Sequence, residues 1–332
     1  MRITGWVAVG LALGLGGCGG TASAPGGGPS PSTVVTSAAA PYAGPLYVPT
    51  SPADPATVAK RSGAAGRALE CDGRPYAGGA GDFSRDATSL PDGGLDRVSG
   101  SADAAFGHWA ALQNWPVQGW PVPSSGYRVE RTGLDAGVRR ELRSYDVEGR
   151  TRVAVVVADG LLDYRGKSGW AVEAWAQCDP SEFPAAVTDA LHLQVWTDAA
   201  GRRVPLTVVH SFPGAEHCDW QQATFLTLYD PDHPGDGQRP GRELGYYVRD
   251  VRGQFTGHTS STYAAAVPVP ATARDSGYRY QGRELWLSPT GPDTGPDTGP
   301  ERRQAPAAYL VSPEVPGVGE RWPALKQFVG CA

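Results

Sequence analysis

The sequence is short of lysine and methionine, and it lacks the motifs of several common catalytic chemistries. Lysine occurs only at Lys60, Lys167 and Lys326 among 332 residues, and Met1 is the single methionine. There is no Walker phosphate loop, no GxGxxG turn after a strand and no GxSxG nucleophile elbow, so nucleotide chemistry and that type of hydrolase are not indicated. The formal charge is −5 without a basic cluster, which argues against nucleic acid as a partner.

Long apolar runs are also missing, except near the amino terminus. The stretch from Trp6 to Leu15 has the length of ~7–15 residues that is typical of a signal peptide, and it is short of the ~20 residues that span a membrane. It leads into the run LGGC at residues 15–18, which resembles the lipobox of bacterial lipoproteins. The resemblance implies that residues 1–17 are a signal peptide and that Cys18 carries a palmitate-bearing lipid, which would anchor the protein at the extracellular face of the cell membrane. A buried amino-terminal helix is the alternative, which the Gly- and Pro-rich chain after Cys18 disfavours.

Cysteine is scarce beyond Cys18, since only Cys71, Cys178, Cys218 and Cys331 follow it. Four cysteines in an exported domain are typical of two disulfides. We favour Cys71–Cys178 with Cys218–Cys331, because each bridge would then close one half of the chain. A free thiol and a metal site at Cys218 are the alternatives, but no second cysteine lies near it to give the paired spacing that zinc sites usually show.

Composition divides the chain after the signal peptide into a tether and a folded part. Residues 18–66 are dominated by Gly, Ala, Pro, Ser and Thr, which predicts a disordered tether; whether the apolar residues around Leu46 pack onto the folded part is left open. The folded part divides into an α+β (sub)domain at 67–182 and a mainly β (sub)domain at 183–332, in one domain or two. A repeated GPDT motif predicts a disordered insertion near 289–305.

The fold class expected for the folded part is α+β and β-rich. Ser101 as a cap and the apolar spacing after it predict a helix over 101–115. Strands are predicted at 127–132, 140–147, 151–158 and 170–177, with a turn at 148–150. One helix followed by an antiparallel sheet is similar to the element order of cystatin-like and nuclear-transport-factor-2-like rolls.

The second half is predicted to be mainly β. Residues 190–197 and 203–210 indicate a hairpin around Gly201. Further strands are predicted at 223–229, 243–249, 284–287 and 307–311.

Tryptophan is abundant, with ten residues in the chain. Trp109, Trp115 and Trp120 lie close together in the sequence and could form a platform that stacks on the sugar rings of a glycan. The alternative, which we favour, is that these rings fill a hydrophobic core, since aromatic side chains bury large apolar surfaces.

Two polar clusters match functional sites only in part. The loop 230–236 has the acidic spacing of a calcium loop, but Pro234 and Gly241 stand where positions five and twelve of such a loop supply ligands, so a solvated turn is favoured. Ser211 lies beside His210 and near further His and Asp residues, but a triad depends on spatial geometry that sequence proximity does not show. We therefore predict no catalytic, cofactor-binding or metal site.

Short runs around the cysteines carry a family resemblance. The runs ECDG at 70–73, WAQCDP at 175–180, CDW at 218–220 and GCA at 330–332 are similar to those of uncharacterised actinobacterial lipoproteins and secreted proteins. The resemblance covers most of the chain beyond the tether and implies location and disulfides but no known activity. We expect a non-enzymatic binding or sensing module whose ligand is a glycan, a lipid or a protein. The alternatives are a cell-wall or lipid hydrolase and a structural partner of a membrane complex.

Overall fold

The computed structural model describes eight stretches of the chain. They are residues 41–48, 58–73, 75–78, 98–113, 121–163, 165–233, 241–288 and 307–326. All of them belong to one compact unit that spans Ser37–Ala332. The helices in these stretches are α1 (Val58–Ala68), α2 (Ala102–Gln113) and α3 (Ala185–Ala190), with 3-10 turns at Pro180–Glu182 and Glu216–Cys218.

The strands of the first half form one antiparallel sheet. They are β1 (Tyr76–Gly78), β2 (Arg128–Asp135), β3 (Val138–Val147), β4 (Arg150–Leu162) and β5 (Ser168–Gln177). Their order across the sheet is β1-β5-β4-β3-β2. The long strands β2 to β5 pair with their sequence neighbours and therefore form an antiparallel meander. Helix α2 precedes this meander in the chain.

Two hairpins in this sheet have two-residue turns that end in glycine. Ala136 and Gly137 join β2 to β3, and Glu148 and Gly149 join β3 to β4; all four residues have positive φ, from 51° to 77°. Two successive positive φ angles are typical of the type I′ turn, whose twist matches that of the paired strands. Glycine at the second position adopts this conformation at no steric cost, which fixes the register of β3 against β4.

Helix α2 covers one face of the sheet. The hydroxyl oxygen of Ser101 accepts a hydrogen bond of 3.2 Å from the N–H of Ala104, which caps the first turn as the sequence predicts. The buried side of α2 carries Phe106 and Trp109, which pack against Val155 and other inward residues of β4. The helix ends at Gln113, and the predicted last turn lies outside the described residues.

The chain that precedes the sheet covers its other face. Because side chains alternate along a strand, Ala154 and Val156 of β4 point away from α2. They pack with Leu46 from the segment 41–48 and with Ala64 and Ala65 of α1. β4 is therefore buried on both faces, which explains why its sequence is a continuous apolar run.

These contacts depart from the prediction that residues 18–66 form a disordered tether. The segment 41–48 is held against β2, where the Asp135 carboxylate accepts a hydrogen bond of 2.9 Å from the N–H of Tyr47. Helix α1 begins at Val58, well before residue 66. Alanine and leucine in these segments bury enough apolar surface on the sheet to offset the cost of ordering a short stretch of chain.

The second half contains two further sheets. Its strands are β6 (Thr197–Asp198), β7 (Val209–Pro213), β8 (Ala223–Tyr229), β9 (Glu243–Asp250), β10 (Ala264–Pro268), β11 (Arg274–Tyr280), β12 (Arg283–Ser288), β13 (Ala307–Val311) and β14 (Val318–Trp322). The order is β10-β14-β13-β12-β11-β6 in one sheet and β7-β8-β9 in the other. The antiparallel sheets and few helices confirm the predicted α+β, β-rich fold class.

The predicted hairpin over 190–197 and 203–210 forms only close to its turn, where Thr197 bridges to Arg203 and the N–H of Gly201 donates to the carbonyl oxygen of Asp198 at 2.9 Å. Of its first half, residue 190 ends helix α3, and only residue 197 lies in a strand, β6. Its second half turns at Pro205, whose carbonyl accepts a hydrogen bond of 2.9 Å from the N–H of Val208. Proline cannot donate to a strand ladder and favours turns, which explains the difference.

Within the described residues, no helix is both long enough and apolar enough to cross a membrane. The predicted disordered insertion at 289–305 lies outside these residues, as do Cys18 and Cys331.

Candidate functional site

Trp109 lies in the hydrophobic core, as favoured from the sequence, and does not form part of a sugar-stacking platform. This side chain is 3% exposed in the core between α2 and the sheet. Its ring centroid lies 5.8 Å from that of Trp175 and 5.7 Å from that of Phe106. Trp109 therefore fills the core and cannot stack on an external sugar; Trp115 and Trp120 lie outside the described residues.

The cysteines form disulfides in the described part of the chain. Cys71 and Cys178, 107 residues apart, are bonded with an S–S distance of 2.02 Å, which is one of the two pairings favoured from the sequence. Cys218 is also disulfide-bonded. Among the described residues, the one group of candidate metal-ligand atoms combines Glu182 with Cys71 and Cys178, and the disulfide already occupies both sulfurs.

The acidic loop that starts at Asp230 is a hydrogen-bonded turn where the structure describes it. The Asp230 carboxylate accepts a hydrogen bond of 2.9 Å from the N–H of Asp232. It also lies 3.0 Å from Nδ1 of His233. The backbone hydrogen bond from Asp232, followed by the contact with His233, holds the pKa of Asp230 below its ordinary value. This carboxylate is engaged within its own turn; residues 234–240 of the loop lie outside the described residues.

Ser211 and His210 do not form a catalytic pair. The Ser211 hydroxyl donates to Oε1 of Gln194 at 2.8 Å and accepts from the indole N–H of Trp196 at 2.8 Å. His210 is the next residue on the same strand, so its side chain points to the opposite face of the sheet. Burial lowers the pKa of His210 to about 4, which keeps its ring neutral at physiological pH.

A cleft lies where residues of the first half meet residues of the second. Its volume is about 520 Å³. One wall carries Asp72, Gly73 and the 3-10 turn that Asp179 begins. The other carries Arg203, Pro205, Thr207, Val208 and Pro231. The cleft adjoins the Cys71–Cys178 disulfide through Asp72 and Asp179, each of which follows one of the two cysteines in the sequence.

Asp179 holds the two sides of the cleft together. Its Oδ1 accepts hydrogen bonds from the N–H of Ser181 at 2.8 Å and from the N–H of Leu206 at 3.0 Å. The first bond caps the 3-10 turn, where Pro180 stands at the start, and the second holds the other half of the chain in place. Among the described residues, Oδ2 has only long contacts, of 3.4 and 3.5 Å, both to Thr207. One oxygen of a carboxylate that is 2% exposed therefore keeps capacity to accept a stronger hydrogen bond.

A network of charges stiffens the first wall. The Glu182 carboxylate accepts hydrogen bonds from the N–H groups of Asp72 at 2.8 Å and Gly73 at 2.9 Å, and it also pairs with the guanidinium of Arg152. Arg152 reaches Oδ2 of Asp72 at 2.8 Å. Hydrogen bonds from Arg150 and then from Arg152 hold the pKa of Asp72 below its ordinary value, so this rim residue is ionised at neutral pH.

Arg203 anchors the second wall. Its guanidinium donates to the carbonyl oxygen of Phe183 and to Oγ1 of Thr188 at 3.0 Å. Burial lowers the pKa of Arg203, with opposing effects from Asp189 and Asp179. The donors of Arg203 are thus engaged by protein acceptors. The other polar side chains that line the cleft are three carboxylates, which accept hydrogen bonds, and two hydroxyls, which both donate and accept them, on Asp72, Asp179, Glu182, Ser181 and Thr207.

Sequence reasoning did not find this cleft. Its lining residues run from Asp72 to Pro231 and share no motif, although Asp179-Pro180 is a recognisable start of a helical turn. Comparison of the chain with family models, with curated proteins and with solved structures gave no match.

Proposed function

We propose that the protein is a lipid-anchored binding or sensing module at the outer face of the cytoplasmic membrane, and that its ligand binds in the cleft. The lipobox at Cys18 supports the location. The Cys71–Cys178 disulfide is consistent with it, because structural disulfides are typical of exported domains. The cleft volume of about 520 Å³ lies within the roughly 300–1,000 Å³ that is usual for small-molecule sites.

The observation that carries the proposal is that the carboxylates of the cleft are held by hydrogen bonds from the protein. Asp72 and Glu182 are held by arginine and backbone donors, and Oδ1 of Asp179 is held by two backbone donors. Groups fixed in this way are preorganised to orient a ligand, whereas general acid–base catalysis requires a group that is free to exchange its proton. The geometry therefore favours binding over catalysis.

The lining also favours one ligand chemistry. Asp179 and Thr207 line the cleft with a carboxylate and a hydroxyl, and Asp72 adds an ionised carboxylate at the rim. A ligand with hydroxyl or ammonium donors would satisfy these acceptors, whereas an anionic ligand would meet the guanidiniums of Arg152 and Arg203 already engaged by protein acceptors. Pro205, Val208 and Pro231 provide apolar contacts beside them.

Calorimetric titration with two sugars of similar size tests this proposal. We expect saturable binding of D-glucosamine, which presents ammonium and hydroxyl donors, and no binding of D-glucuronate, which carries a carboxylate. The substitution P231W should abolish glucosamine binding, because Pro231 lines the cleft and is exposed, so a large ring there fills the space without disturbing the core.

The matched control is P313W. Pro313 is also exposed and follows the first residue of a hydrogen-bonded turn, Ser312 to Val315, just as Pro231 does in the turn from Asp230 to His233. It does not line the cleft. Equal binding of both sugars, or equal loss of binding in both variants, would contradict the proposal.

A further inference from the structure

The first sheet ends in a strand whose outer side is unpaired in the described part of the chain. This strand, β2, has eight residues and pairs with β3 on its inner side. Helices α1 and α2 lie mainly over β4 and β5, so the β2 edge is away from both. An unpaired edge presents a row of backbone N–H and C=O groups to which another strand can add.

The other sheet edges that the structure describes are protected against such addition. The edge strands β1 and β6 have three and two residues, and β7 and β10 end in Pro213 and Pro268. The outer side of β9 is covered by a loop, where Tyr247 bridges to Ala324. Short edges, prolines and covering loops are the usual devices that keep a second strand away. β2 is longer than these edge strands, except β9, and contains no proline.

Three residues of β2 direct their backbone hydrogen-bonding groups outward. In an antiparallel hairpin with a two-residue turn, the pair beside the turn is hydrogen-bonded, and open and hydrogen-bonded pairs then alternate. Asp135 and Val138 form the pair beside the turn. Leu134 and Thr132 therefore belong to open pairs, and their N–H and C=O groups point away from β3. A bulge directly after Val129 inserts one extra residue, which makes Val129 the next outward residue.

These outward residues are arranged symmetrically about Thr132. Because the bulge absorbs one residue, Val129 and Leu134 each lie one two-residue repeat from Thr132 along the strand. Val129 is 54% exposed and Leu134 is 77% exposed. The edge thus carries one exposed apolar side chain on each side of a central threonine, which is the pattern of a self-complementary surface.

We propose that two copies of the protein associate through β2, with the two strands antiparallel about a twofold axis at Thr132. Val129 of each copy then lies opposite Leu134 of the other, so the exposed apolar side chains cover each other. At the ends of the paired strands, Arg128 meets Asp135 of the other copy, which brings opposite charges together. This register pairs all three outward residues, and a slip in either direction leaves some of them unpaired.

The association joins the two five-stranded sheets into one continuous sheet. Such an isologous contact closes on itself, so it produces a dimer and not a filament. It uses none of the residues that line the cleft, and it does not depend on the function proposed for the cleft.

Cysteine crosslinking of the full-length protein tests the register. Thr132→Cys brings two thiols together at the axis, where paired Cα atoms lie about 5.5 Å apart, within the range of a disulfide. Leu134→Cys leaves its two copies about 13–14 Å apart along the strands, although Leu134 is highly exposed. With copper phenanthroline as oxidant, we expect at least about fivefold more reducible dimer from Thr132→Cys than from Leu134→Cys.

Two further samples complete the crosslinking experiment. A mixture of Val129→Cys and Leu134→Cys proteins should crosslink, because the proposed register places these positions opposite each other. Ala265→Cys is the control, since Ala265 is exposed on the edge strand β10 and should stay monomeric, like the native protein. Crosslinking of Leu134→Cys alone or of Ala265→Cys that equals that of Thr132→Cys would overturn the proposal.

Sedimentation equilibrium of the full-length protein in a mild detergent measures the association itself. We expect a reversible dimer, and we expect Leu134→Lys to raise its dissociation constant about tenfold, because the lysine replaces an apolar cross-strand contact in both halves of the interface. Leu162→Lys is the matched control, since Leu162 is 64% exposed but lies on the inner strand β4. A native protein that stays monomeric, or equal effects of the two lysine variants, would overturn the proposal.

Discussion

The carboxylate of Asp179 accepts a hydrogen bond of 3.0 Å from the backbone N–H of Leu206, 27 residues further along the chain. The same oxygen also accepts the N–H of Ser181 at 2.8 Å. One nearly buried side chain thus starts a 3-10 turn in the first half and fixes a loop of the second half. The position of the cleft between the two halves follows from these two bonds.

Removal of this carboxylate should destabilise the fold. We expect Asp179→Ala to lower the free energy of unfolding by about 2–4 kcal/mol, because two buried N–H groups lose a charged acceptor. Urea denaturation followed by circular dichroism measures this change. Asp189→Ala is the control, since Asp189 is exposed on α3, and it should cost less than about 0.5 kcal/mol. A similar small effect for both variants would contradict the role given to Asp179.

The disulfide near the cleft should contribute much of the stability of the first half. It joins residues 107 apart, and a closed loop of this size is worth up to about 4.7 kcal/mol in the chain-entropy model. We expect the double variant Cys71→Ser, Cys178→Ser to lose about 2–5 kcal/mol in guanidinium denaturation. Added reductant should then affect the double variant less than it affects the native protein. An unfolding curve that is unchanged by the double substitution would refute this prediction.

Glu320 lies in the second half between two arginines. Its carboxylate pairs with Arg249 at 2.6 Å and with Arg283 at 2.8 Å, and it accepts a hydrogen bond from Tyr263. Burial alone would raise the pKa of Glu320, but the hydrogen bonds from Tyr263 and Arg249 and the charge of Arg249 outweigh it, so its pKa lies below the ordinary value. This contribution to stability is therefore present above the unfolded-state pKa and is lost as the pH falls through the folded-state pKa.

We expect Glu320→Gln to cost about 2–4 kcal/mol at pH 7, because two partly buried arginines lose their counter-charge. Glu314→Gln is the matched control, since Glu314 is exposed in a turn and should tolerate the change within about 0.5 kcal/mol. Urea denaturation of both variants gives the comparison. If the two substitutions cost the same, the ion cluster does not stabilise the fold.

His210 should make the protein less stable in acid. Burial lowers its pKa from 6.5 to about 4, so the folded state favours the neutral ring. Thr227 lies opposite it on β8 and Tyr246 lies opposite Thr227 on β9, and neither of these two side chains is charged at these pH values. Above about pH 6.5 the ring is neutral in both the folded and the unfolded state, and the full stability of the protein is present. As the pH falls toward 4, the unfolded state binds the proton first, so this stability is progressively lost.

The measurement is the free energy of unfolding at pH 7 and at pH 4.5. We expect the native protein to lose about 1–3 kcal/mol more over this interval than the variant His210→Asn, which has no ring to protonate. Parallel pH dependence of the two proteins would show that His210 is not the group responsible.

Strands with strong intrinsic preference were predictable from the sequence. The bounds of β8 and β13 equal the predicted 223–229 and 307–311, and β8 carries aromatic and β-branched residues, which favour strands. By contrast, β10, β11 and β14 were not predicted. They contain alanine, glycine and charged residues with low strand preference, and they form because neighbouring strands offer them a ladder.

The cleft could not be derived from the sequence. Asp179 and Thr207 meet only when the 3-10 turn and the loop before β7 are folded against each other. What the sequence did supply was the pairing of Cys71 with Cys178, the α+β class and the prediction that the protein is anchored through Cys18.

The central claim, a binding module tethered outside the cytoplasm, is tested most directly at Cys18. Cells that express the protein are grown with an alkyne analogue of palmitate, and the label on the purified protein is measured for the native chain and for Cys18→Ala. We predict strong labelling of the native protein in the membrane fraction and none of the variant, which should also leave that fraction. Equal labelling of both proteins, or no label on the native chain, would contradict the account.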